Sequence, residues 1–143
     1  MGHSAGSQPH ALARRKKAEH HCETVQSTTP SNELTALTNR LVFALGVTDV
    51  RFDLSIFGDF LRDIPRRLGR NEALDASVRA LTTAIPAVYA QKHSPEMLLR
   101  YVEAIRSLSD YLKDSVKATS PDTLCAVYMV MICQVIMPPY TIR

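Results

Sequence analysis

The side chains able to do chemistry gather in three places. His20-His21-Cys22, with His3 and His10 upstream, brings metal-binding types together. Structural zinc sites space their ligands in pairs across a loop, and an adjacent His-His-Cys does not. No metal or other cofactor is therefore expected. Arg14-Arg15-Lys16-Lys17 is a run of four basic residues, a candidate nuclear-import signal or phosphate-contacting patch. Glu19 and Glu23 partly cancel it, and the plainer reading is a solvated charge run. Arg62, Arg66, Arg67 and Arg70 crowd the turn from Pro65 to Gly69. Four arginines can hold an anion. The favoured reading is structural, with Asp59, Asp63 or Glu72 as their partners.

Beyond these, the chain offers little to a substrate. It has no glycine-rich phosphate loop, no nucleophile elbow and no pair of metal ligands at helical spacing. Catalysis needs titratable groups that converge, and the acids here fall on polar helix faces or helix starts. No catalytic residue is nominated, and an enzyme is the last of the readings. Three cysteines are too few and too scattered for a disulfide framework. Cys125 and Cys133 sit in an apolar run and read as buried thiols of a reducing compartment, cytosol or nucleus. A net charge of +3, 6% aromatic residues and no Trp argue against a base-stacking platform.

The elements follow from periodicity. Residues 1–32 are rich in Gly, Ser, Gln, Thr, His and Pro and show no apolar pattern. They are expected to form a disordered tail, with no secretory signal. A helical domain is expected over 33–137, with a short tail at 138–143. The first helix is placed from about Glu33 to Leu45, capped by Ser31 or Asn32 and ended by Gly46 in a left-handed conformation. Val50, Phe52 and Leu54 alternate with polar residues and allow a brief extended piece. Ser55 is read as the cap of a helix from Ile56 to Asp63 that Pro65 ends.

Asn71 is read as the cap of a third helix, about Glu72 to Gln91, bent at Pro86. Its stripe is Leu74, Val78, Leu81, Ile85 and Val88. Ser94-Pro95-Glu96 and Ser120-Pro121-Asp122 repeat one helix-start signature: a cap, a proline at the first position, an acid in the first turn. The last helix, Leu124 to Met137, is apolar on every side. It falls short of the roughly 20 residues a membrane span needs, so no membrane is expected. It should lie centrally or be covered by something else, with Val130, Met131, Val135 and Met137 as candidates for a face left open to water. The expected class is all-α, about five helices in an antiparallel array.

A resemblance adds to this reading. Pro65-Arg66-Arg67-Leu68-Gly69, then Glu72-Ala73-Leu74-Asp75-Ala76-Ser77-Val78-Arg79-Ala80-Leu81, resembles the helical regulatory region of fungal binuclear zinc-cluster transcription factors. So do the helix from Tyr101 to Leu112 and the run Thr123-Leu124-Cys125-Ala126-Val127-Tyr128. The similarity covers about residues 57–137. In that family a six-cysteine zinc cluster binds DNA, and the helical region behind it regulates activity. This sequence has no such cluster, and the family's helical region usually continues further. The resemblance thus implies a fragment or truncated paralogue with a nuclear, regulatory, protein-interaction role. No DNA-binding residue is implied, and no specific DNA binding. The matched positions are helix-packing residues, so no functional residue carries over. The implied partner is a protein, or a second copy of the chain, held by the apolar C-terminal helix. A self-contained helical scaffold or adaptor, unrelated to transcription, is the alternative.

Overall fold

A computed structural model describes residues 30–51 and 53–137, together with Gly2. The basic run Arg14–Lys17, the tail histidines, Cys22, residues 3–29 of the expected N-terminal tail and the C-terminal tail lie outside the described residues. The tail expected over 1–32 is corrected at its end, where α1 begins at Pro30 and takes Ser31 and Asn32 into the helix instead of using them as caps. Among those residues there are six α-helices and two 3-10 turns, and no strand. The all-α expectation holds, with one helix more than expected. The helices are α1 (Pro30–Leu45), α2 (Ile64–Arg67), α3 (Glu72–Tyr89), α4 (Pro95–Lys113), α5 (Ser115–Ala118) and α6 (Pro121–Ile136).

The central helix is α3, which packs against α1, α4 and α6. Its buried residues include Ala73, Ala76, Ser77, Ala80 and Ala84 as well as Leu74, Val78, Leu81 and Ile85. Large residues form one stripe, and small ones line the remaining faces. Small side chains let neighbouring helices come close, so α3 can be covered from three directions. The Ser77 hydroxyl is satisfied within the helix by donating to the Ala73 carbonyl at 2.6 Å. Centrality was expected of the last helix instead. That helix has one face in the core and another in solvent.

The α3 start is tied directly to α4 and α6. Asn71 is buried, and its Oδ1 accepts the Leu74 N–H at 3.0 Å. Its Nδ2 donates to Thr123 Oγ1 on α6 at 3.0 Å, and that hydroxyl donates to the Lys117 carbonyl on α5 at 2.7 Å. The Glu72 N–H donates to the Tyr111 hydroxyl on α4 at 3.1 Å. Helix starts leave N–H groups without internal partners. Here Asn71 accepts one and Tyr111 of α4 another, while Thr123 of α6, itself held by Lys117 of α5, fixes the Asn71 side chain. Just before this point, Gly69 has φ +83°, and its N–H donates to Asp75 Oδ1 at 2.9 Å.

Several local expectations are corrected. Gly46 closes α1 by donating to the Val42 and Phe43 carbonyls, without the left-handed conformation. Among the described residues no strand forms at Val50 or Leu54, and Phe52 lies outside them. The segment read as one helix from Ile56 to Asp63 is two 3-10 turns, Leu54–Phe57 and Asp59–Asp63, parted by Gly58 at φ +113°. The cap is Asp53, whose side chain accepts the Ser55 N–H at 2.9 Å, rather than Ser55. Pro65 occupies the start of α2 instead of ending a helix. A proline at the first turn has no N–H to leave unpaired. Ser94 makes no capping bond, whereas Ser120 accepts the Asp122 N–H. The unexpected helix α5 is capped by Asp114, which accepts from Val116 and Lys117.

Candidate functional site

The candidate surface is the outer face of α6. This helix carries two stripes at alternating spacings of three and four. Thr123, Ala126, Val130, Cys133 and Met137 form the buried one. Leu124, Tyr128, Met131 and Val135 form the other, and they are 59%, 47%, 54% and 71% exposed. Helical spacing puts each set on a single face. Between Thr123 and Met137 the sequence has no charged residue. The outer face is therefore apolar and uncharged along almost the whole helix.

Its borders are defined by contacts. On one side the Tyr128 ring meets the Phe60 ring edge-on, with centroids 5.3 Å apart. On the other, Gln134 Nε2 donates to the Tyr101 hydroxyl on α4 at 2.7 Å. Beyond Tyr101, Leu98, Ile105 and Leu112 recur every seven residues on α4 and are also exposed. At ~100° of turn per residue they fall within about 60° of Tyr101 around the helix. They share one side of α4 with Tyr101, and the polar Gln134–Tyr101 bond parts that side from the α6 stripe. Isolated exposed apolar residues are ordinary, but a continuous patch marks an interface.

Of the expected open positions, Met131 and Val135 lie on this face. Val130 and Met137 are buried. Leu124 and Tyr128 were missed. Their four-three-four spacing with Met131 and Val135 was the available signal. Small residues Thr123 and Ala126 mark the packed side, because close helix approach needs them there.

The arginine turn is structural in part. Arg67 Nη1 pairs with Asp122 on α6 at 2.8 Å, and its Nη2 lies 3.6 Å from Asp63. The Asp122 bond raises the Arg67 pKa and pins α2 to the α6 start. Arg66 lies 3.7 Å from Asp63 in an exposed pair of little energetic weight. Arg62 and Arg70 are exposed. Cys133 is buried, and burial pushes its thiol up to about 12. Cys125 is half-buried, and burial raises its pKa as well. Among the described residues no cluster of His, Cys, Asp or Glu could hold a metal ion, and no helix is long and apolar enough to cross a membrane.

Compared with protein-family models, curated proteins and solved structures, the chain matches none.

Proposed function

We propose that this protein is a regulatory interaction module that docks a protein, a partner or a second copy of itself, through the outer face of α6. The observation that carries the reading is the uncharged stripe Leu124, Tyr128, Met131 and Val135, exposed on a well-packed helix. Burying it on another protein removes apolar surface from water at roughly 25 cal/mol per Å². The likeness of the α2–α3 turn and of α3 to fungal zinc-cluster regulators supports a role in transcription regulation in the nucleus. Reading DNA would fall to another module.

Light scattering coupled to size exclusion tests the docking face. The purified chain should associate or bind a hydrophobic dye. The double variant Met131→Glu, Val135→Glu should run as a monomer with weak dye binding. A wild-type monomer that binds no dye would overturn the reading. Nuclear accumulation of a fluorescent fusion, lost when Arg14, Arg15, Lys16 and Lys17 become alanine, tests the compartment.

A further inference from the structure

A second feature lies away from α6. Between α1 and the second half of α3 runs an open cleft of about 1180 Å³. Phe43, Ala44, Val47, Ile85, Pro86 and Tyr89 contribute its apolar walls. Pro86 shapes one wall in a second way. It has no N–H, so the Thr82 carbonyl one turn earlier has no residue-86 donor to accept from. Thr82 itself lines the cleft.

One end of the cleft adjoins a smaller polar hollow of about 210 Å³, with Arg40, Thr83 and Glu96 lining both. The hollow also presents Arg79, Arg100 and Glu33. Arg79 pairs with Glu33 at 3.4 Å, and Arg100 with Glu96 at 3.8 Å and Glu103 at 3.1 Å. Arg40 is left over: among the described residues no carboxylate lies within ion-pair distance of it. The composite site therefore has an apolar trough and one uncompensated guanidinium at its mouth.

We propose that this cleft binds a free apolar carboxylate, a medium-chain or aromatic acid, with its carboxylate on Arg40 and its body along Phe43, Val47, Ile85 and Tyr89. Three observations agree. The volume suits a small organic ligand rather than a water cluster or a bare anion. Arg40 and Val47 are seven residues apart on or just past α1, about 10 Å along a helix, the length of a medium acyl chain. The guanidinium offers paired donors that match a carboxylate. An amine would meet Arg40 with like charge, and a neutral apolar ligand would leave that charge unused. This site is independent of the α6 face, so either assignment can fail alone.

Titrating the full-length protein with a dansyl-labelled undecanoate, and with the matching alcohol, tests the proposal by fluorescence. The acid should bind saturably, one per chain, and about tenfold tighter than the alcohol. Arg40→Gln should bring the acid down to the alcohol's affinity and leave the alcohol unchanged. Ala90→Trp, at an exposed lining position, should weaken both probes by filling the trough. Val135→Glu, on α6, should change neither. Equal affinity for acid and alcohol, absence of saturable binding, or loss through Val135→Glu with Ala90→Trp silent would each overturn it.

Discussion

Single residues carry some of the sharpest constraints. At Gly69 a Cβ would come 2.7 Å from Leu34 Cδ2, and φ is +83°. The Leu34 methyl is the end of a flexible side chain and can swing aside, so Gly69→Ala is opposed mainly by the left-handed backbone. It should lower stability by about 1–3 kcal/mol in urea denaturation. Asn71 was legible in the sequence as a helix cap, but its amide nitrogen was not. That nitrogen's partner, Thr123, is 52 positions away, and no local pattern encodes such a pair. Asn71→Asp separates the two roles. The carboxylate can still accept the Leu74 N–H, but it faces Thr123 Oγ1, whose hydrogen already goes to Lys117. We expect a loss beyond the ~1 kcal/mol of a cap, because a buried charge gains no donor there. Thermal melting of N71D beside N71A measures the difference. Cys133 sets a pH dependence. Its folded pKa, about 12, lies above that of an unfolded thiol. A raised folded pKa protects stability below the unfolded value and loses it as pH climbs between the two. Stability should fall by up to about 1.4 kcal/mol per pH unit through that window. Cys133→Ala should flatten the fall in urea midpoints measured across it.

At the scale of elements, the periodic stretches were readable and the short ones were not. The apolar stripes of α3 and α4 are long enough to average over exceptions. The first 3-10 turn before α2 and the helix α5 each depend on a single side-chain cap, Asp53 and Asp114, and the second 3-10 turn has none. Those aspartates sit among other polar residues that look alike in sequence. The end of α3 shows another limit. Lys92 N–H donates to the Ala87 carbonyl at 2.9 Å and Gln91 N–H to the Val88 carbonyl at 3.0 Å. That is a Schellman ending, which requires a left-handed residue, and Gln91 supplies it at φ +50°. Glycine is the usual occupant, so its absence hid the boundary. Gln91→Gly should relieve the backbone and raise stability by about 0.5–1 kcal/mol, read as a higher melting temperature.

For the whole molecule, composition pointed to the wrong centre. The most hydrophobic helix, α6, lies at one side, and the helix richest in small buried residues lies in the middle. Hydrophobicity measures the gain from burial, whereas position also depends on how many neighbours can approach. Ala80 is almost wholly buried on α3. Ala80→Leu should push the packed helices apart and cost about 1–3 kcal/mol, despite adding apolar surface. The junction at Asn71 also orders events in time. The groups that finish the α3 start, Tyr111, Lys117 and Thr123, all follow it in the chain. A ribosome releases the central helix long before it releases the residues that complete that helix's first turn. Of the bonds at this start, the one from Leu74 N–H to Asn71 needs none of those later residues. The bonds of this junction can therefore all be in place only once α6 has emerged from the exit tunnel.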